Sequence, residues 1–246
     1  LEYTGNVIYS DEGSTLKIGK DEDSLNTFSN STYSSGNGMI RSLGALNLNG
    51  TLSFKDNNQD RLMYITGTRT GYSLSSNGVN NELSGLNIQD NNVSRAIYLE
   101  VNNSTPKITL KNNSFTNNSS EAALVGTDTP NSNYGLIYVY GNGEVDIDTS
   151  NTFVGNKNIY LITNVNGTVN LSKGFDINNS TNAETSNDAF ILSSGTLNLT
   201  TDNETGKSLA AKNFNIKGYG GALTLTGGTV NTDSDANTIK NAVFEN

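Results

Sequence analysis

The stretch FVGNKNIYLITNVNGTVNLSKGFDIN, residues 153–178, repeats itself. It opens on Phe153-x-x-Asn156, passes through Ile159-Tyr160-Leu161 and Gly167-Thr168-Val169-Asn170-Leu171, and closes on a second Phe-x-x-Asn, Phe175 with Asn178. Phe153 and Phe175 are 22 positions apart, as are Tyr138 and Tyr160. The same three elements recur in the same order along the chain. The Ile-Tyr element is found at Met63-Tyr64-Ile65, Ile97-Tyr98-Leu99 and Ile137-Tyr138-Val139, with looser copies at Ile8-Tyr9 and Ala189-Phe190-Ile191. The Gly-Thr element is found as GTLSF at 50, GEVDI at 143, GTVNL at 167, GTLNL at 195 and GTVN at 228, and STLKI at 14 and PKITL at 106 fill the same slot. Phe-x-x-Asn returns at Phe54 and Phe115, with weaker forms at Phe28, Ile88 and Phe214.

Each element alternates apolar and polar residues over four or five positions, the pattern of a strand with one face in a core. One such unit cannot bury its apolar face alone, but stacked copies can, each strand pairing with its equivalent one layer away. The sequence therefore predicts an all-β chain, a β-solenoid of about eight turns of roughly 22 residues, with the Asn of Phe-x-x-Asn forming an amide ladder at a corner. Segments 19–38, 75–82, 119–133, 179–188 and 201–208 read as loops inserted at corners. A β-sandwich also consists of many short strands, but it does not require a threefold phrase repeated in order.

Composition bounds the function. The 246 residues contain neither His nor Cys, and the net charge is −9. Ser-His and Cys-His nucleophile systems and Cys-based metal sites are thereby excluded. The acidic balance and the scattered 15 Lys and Arg argue against nucleic-acid binding. No run of eighteen apolar residues offers a membrane-spanning helix. No cofactor motif or metal-ligand set is present. Asp146 and Asp148 share one face of a strand, DEDS (21–24) and DNNQD (56–60) carry oxygen ligands without calcium-loop spacing, and Asn231-Thr232-Asp233 is a polar corner.

The repeated phrases resemble the passenger domains of Gram-negative autotransporters, and most closely the polymorphic outer-membrane protein group, which pairs Phe-x-x-Asn with Gly-Gly-Ala-Ile/Leu. The matching residues are FTNN (115–118), FVGN (153–156), FDIN (175–178), FKDN (54–57) and Gly220-Gly221-Ala222-Leu223, with SRAIYL and YGLIYV as worn copies of the second tetrapeptide. The resemblance implies a right-handed parallel β-helix displayed on the outer membrane or secreted, with residues 1–246 forming one segment of a longer passenger. It implies a non-catalytic adhesin or virulence module that uses loops or one strand face to bind a host-cell or bacterial surface protein or glycan, or another copy of itself. A polysaccharide-cleaving β-helix enzyme and a receptor-binding toxin segment are the alternatives. The candidate binding residues are Tyr64, Tyr98, Tyr138, Tyr140 and Tyr160, whose rings face outward if Ile97, Leu99, Ile137 and Val139 face inward. Exposed Tyr offers rigid amphipathic contact area, and stacking that only stabilises the sheet is the other reading of the same column.

Overall fold

Phe28, Phe54, Ile88, Phe115 and Phe153 lie side by side on five parallel strands, in the register that the repeated phrase predicts. The computed structural model describes residues 6–32, 38–120, 134–157, 159–171, 175–178, 191–199, 209–212, 223–225, 229–232 and 243–245. These residues are all-β, with 26 strands and no helix. Among them no helix is long and apolar enough to cross a membrane.

The three elements of the phrase occupy three sets of strands. The Ile-Tyr element supplies one eight-stranded sheet: Ile8–Ser10, Ile40–Ser42, Asn58–Thr66, Asn92–Val101, Gly135–Gly141, Ile162–Val165, Ile191–Ser193 and Leu223–Leu225. The Gly-Thr element supplies the strands Thr15–Ile18, Ala45–Leu48 and Ser73–Ser76, and then a six-stranded sheet running from Glu82–Ser84 to Thr229–Thr232. The Phe element supplies the five-stranded sheet Leu25–Ser29, Thr51–Lys55, Leu86–Gln89, Ser114–Thr116 and Thr152–Val154. Phe175–Asn178, Leu209–Lys212 and Val243–Glu245 continue it as a separate three-stranded sheet. Apart from one hairpin, every neighbour among the described strands comes from the adjacent copy of the phrase and runs parallel. The one antiparallel pair among the described strands joins Ser75 to Asn80 and Ser76 to Val79. It turns through Asn77 (φ 49) and Gly78 (φ 79), the two left-handed positions a tight hairpin demands.

Residues from all three sets meet in one hydrophobic cluster, which includes Ile40, Leu46, Phe54, Ile97, Leu110, Phe115, Val169 and Leu199. Phe115 and Phe153 stack at 4.9 Å and Phe28 and Phe54 at 5.4 Å. The Asn that closes the Phe-type phrases beginning at 54, 88, 115 and 153 forms the expected ladder. Asn57 Nδ2 donates to Asn91 Oδ1 (2.9 Å), Asn91 Nδ2 to Asn118 Oδ1 (3.0 Å) and Asn118 Nδ2 to Asn156 Oδ1 (3.0 Å). Each side-chain oxygen also accepts from a backbone N–H of the preceding layer, and all four side chains are buried. The left-handed conformation belongs to the residue before the ladder Asn: Asp56, Asp90, Asn117 and Gly155 all have φ between 53° and 66°. The amide reaches the backbone because the chain has already turned one position earlier.

Several expectations are corrected. Layers differ in length: the rungs of the ladder are 34, 27 and 38 residues apart, not 22. GTLSF belongs to the Phe sheet, and its Gly-Thr partner is GALNL at 44–48, which pairs with STLKI. Segment 19–38 is not one loop, since Leu25–Ser29 is a strand within it. Segment 75–82 is the hairpin just described. Residues 121–133, 179–188 and 201–208, together with 220–222 and Phe214, lie outside the described residues.

Candidate functional site

The outward face of the eight-stranded sheet carries a column of rings. The register places Tyr9, Arg41, Tyr64, Tyr98, Tyr138 and Thr163 in one row across six strands. Ile97, Leu99, Ile137 and Val139 point inward and are fully buried, so the tyrosines between them point out. Tyr64 meets Tyr98 edge-on at 4.8 Å, Tyr98 stacks on Tyr138 at 5.1 Å, and Tyr140 lies 6.2 Å from Tyr98. Four of the five candidate tyrosines are thus brought together. They differ in access: Tyr138 is 5% exposed and Tyr140 44%.

Tyr160 is not in the row. The strand pairs Tyr138 with Thr163, and Tyr160 is 1% exposed, packed with Tyr134. The reason is a break in alternation. In each copy two consecutive residues turn inward: Met39-Ile40, Leu62-Met63, Ala96-Ile97, Leu136-Ile137 and Leu161-Ile162 are all buried. The residue before this doublet therefore returns to the outer side, three positions ahead of the ring. Those positions are Gly38, Arg61, Arg95, Gly135 and Tyr160. Tyr160 occupies the slot of Arg61 and Arg95.

The same doublet brings the arginines, which sequence reading had dismissed as scattered, into the column. Arg41 sits 5.7 Å from the Tyr9 ring centroid and 5.1 Å from that of Tyr64. Arg61 lies between Tyr64 (5.2 Å) and Tyr98 (4.6 Å), and Arg95 between Tyr98 (5.6 Å) and Tyr138 (4.9 Å). Guanidinium planes and rings alternate along the face, a geometry in which cation and ring quadrupole attract. Asp60 bridges Arg61 (3.5 Å) and Arg95 (3.6 Å), and the Tyr64 hydroxyl donates to Glu100 at 2.6 Å. The signal that could have found this row is Asp60-Arg61 and Arg95 standing three residues ahead of Tyr64 and Tyr98, an interval strict alternation assigns to opposite faces.

Burial holds the Tyr98 and Tyr138 phenols above the ordinary value of 10, against the opposing pull of Arg61 and Arg95. Burial and the bond to Glu100 do the same for Tyr64, and burial alone for Tyr72. Burial lowers Arg61, with Arg95 adding to the effect and Asp60 opposing it. A phenol with a raised folded pKa contributes stability that is complete below its unfolded pKa near 10 and is lost as pH rises through the folded value. Ultraviolet titration is thus expected to show a group of tyrosines that stay un-ionised above pH 10 until the fold opens. Tyr98→Phe should remove one of them; ionisation of every tyrosine near pH 10 in the folded state would contradict the geometry.

The remaining acidic candidates are committed elsewhere. Asp146 binds Lys107 at 2.7 Å and accepts from Asn170 at 2.6 Å; its hydrogen bond to Lys107 raises the lysine above its usual value. Asp56 is the left-handed corner residue and Asp21 accepts from Ser24 within its own turn. Asn231 and Thr232 are not at a corner but in the strand Thr229–Thr232, where Asn231 donates to Asn198, and Asp233 lies outside the described residues. No group of three or more potential metal ligands occurs among the described residues. Compared with protein-family models, with curated proteins and with solved structures, the chain matches none.

Proposed function

We propose that the chain is a right-handed parallel β-helix serving as a non-catalytic adhesin segment of a Gram-negative autotransporter passenger, displayed at the outer membrane or released from it. The architecture is supported by the fixed cycle through three sets of parallel strands, by their common core and by the Asn ladder linking successive layers. A rod of this kind supplies reach and a long lateral surface. The observation that carries the binding role is the tyrosine–arginine column, which presents preorganised aromatic and cationic groups across several layers of one face. Rigid amphipathic rings and arginine are the side chains that dominate recognition surfaces. The partner is a host-cell or bacterial surface protein or glycan.

A second version, self-association, is favoured by the opposite character of the Gly-Thr flank. There Asn231 donates to Asn198 and Asn198 to Asn170, beside a row of Thr168, Thr196 and Thr229. This is a polar strip suited to hydrogen-bonded contact between rods.

Both versions are tested by presenting the purified chain to intact host and bacterial cells, to a glycan panel and to itself, with the glycans checked for cleavage products. Saturable binding without turnover, weakened by Tyr140→Ala, is the expected result. Turnover of a polysaccharide, or absence of binding to cells, glycans and other copies alike, would overturn the reading.

A further inference from the structure

Arg41 is anomalous within its own row. The equivalent slot holds Tyr9, Tyr64, Tyr98, Tyr138, Thr163, Leu192 and Thr224 in the other layers, so a neutral residue is the rule there. The arginine is costlier than any of these, because its Nε is buried with no hydrogen-bond partner. Nor does any carboxylate among the described residues form an ion pair with it. Asp60 serves Arg61 and Arg95, Glu100 serves the Tyr64 hydroxyl, and Asp11 accepts from the Tyr9 hydroxyl at 3.2 Å. None of these carboxylates pairs with Arg41 among the described residues. In a chain of net charge −9, this cation does not lack an acid because acids are scarce.

From this we infer that Arg41, with Tyr9 and Tyr64 on either side, is the anion-recognising subsite for an acidic glycan, a sugar bearing a carboxylate or sulfate group. The inference rests on the adhesin reading and gives its column a ligand class. Three features support it. The guanidinium is clamped between two rings, so little freedom is lost when a ligand arrives. Its planar fork matches the paired oxygens of a carboxylate or sulfate. Tyr9, 50% exposed, adds a hydroxyl and a ring edge, the amphipathic partner a sugar ring uses. An acidic protein segment offers the same charge, and equal binding of poly-glutamate is the outcome that would reveal it.

The test uses the full chain with four probes: a sulfated glycosaminoglycan, a uronic-acid polymer without sulfate, a neutral polysaccharide and poly-glutamate. Binding is measured at two salt concentrations for wild type, Arg41→Gln, Arg41→Lys and the control Lys111→Gln on another flank. Thermal unfolding of each variant reports whether it is folded. The expected result is salt-sensitive binding to at least one acidic glycan and none to the neutral one. Affinity should fall roughly 10- to 100-fold in Arg41→Gln, the worth of a hydrogen bond to a charged group. It should recover only in part in Arg41→Lys and remain unchanged in Lys111→Gln. Which acidic glycan binds identifies carboxylate or sulfate as the recognised group. Equal loss in Arg41→Gln and Lys111→Gln, equal binding of poly-glutamate, or no binding of any acidic glycan would overturn the assignment. The same variants on intact cells separate the two readings. Undiminished attachment by a folded Arg41→Gln protein sinks this subsite and leaves the adhesin standing, whereas absence of binding by the wild type to cells, glycans and other copies alike sinks the adhesin itself.

Discussion

Asn118→Ala is expected to lower the unfolding free energy by about 4 kcal/mol, far more than the loss of one polar side chain from a surface. Asn118 is 0% exposed and works in both directions. Its Oδ1 accepts from the backbone N–H of Asn91 (3.1 Å) and from Asn91 Nδ2 (3.0 Å). Its Nδ2 donates to the Ile88 carbonyl (2.9 Å) and to Asn156 Oδ1 (3.0 Å). Alanine satisfies none of these and is too small to admit water into a packed corner without a cavity. Two donors and a carbonyl of neighbouring layers are left buried, at about 1–3 kcal/mol each before relaxation. Asn118→Asp should do as much harm at neutral pH, because it replaces the donor by a charge facing two acceptors, and it should recover as pH falls and the carboxyl is protonated. Asn103→Ala, at an exposed loop position, should stay within about 0.5 kcal/mol of wild type. Denaturant unfolding followed by circular dichroism measures all three. A loss below 1 kcal/mol for Asn118→Ala would mean that the ladder follows the fold without holding it.

That ladder was legible in the sequence because its parts are contiguous. Phe, two spacers and Asn fix a core residue, a turn and a rung within four positions, and the pattern survives whatever length of chain separates the copies. The weaker forms at Phe28 and Ile88 fall into register with the strong ones for the same reason. What could not be read was anything depending on alternation across the inward doublet. Ile159-Tyr160-Leu161 copies Ile97-Tyr98-Leu99 letter for letter in type, yet the doublet in that layer is Leu161-Ile162, so the ring slot falls on Thr163. Met39-Ile40-Arg41-Ser42 is a full copy that lacks the Ile-Tyr signature because arginine stands in the ring slot. Both misreadings come from counting strands as strictly two-periodic, when each layer spends one residue on a second inward position. The arginines were missed for the same reason: positions 61 and 64 share a face only if 62 and 63 both point in. The column is therefore a property of register between layers, and no single copy of the phrase contains it.

Gly141→Ala should be among the most damaging of the small substitutions, at more than about 3 kcal/mol, whereas Gly13→Ala should cost about 1 kcal/mol. Both glycines have positive φ, 105° and 73° respectively, so backbone strain alone would not separate them. Space does. A methyl group on Gly13 meets nothing within 4 Å, while one on Gly141 would overlap the carbonyl oxygen of Val101, its register partner in the next layer. That oxygen is main chain and cannot rotate away, so relief requires the two layers to part, at the strand end beside Tyr140. The same collision recurs at Gly50 against the Ser24 carbonyl and at Gly195 against the Gly167 carbonyl. At these three positions layer contact explains the glycine: one backbone crosses another too closely for any Cβ. Chemical unfolding of the two variants, with amide exchange at Val139 and Tyr140 as the local readout, decides the matter. Equal costs for Gly13→Ala and Gly141→Ala would show that left-handed backbone alone selects these glycines. A large difference, with exchange accelerated only in Gly141→Ala, would show that the spacing between layers selects them.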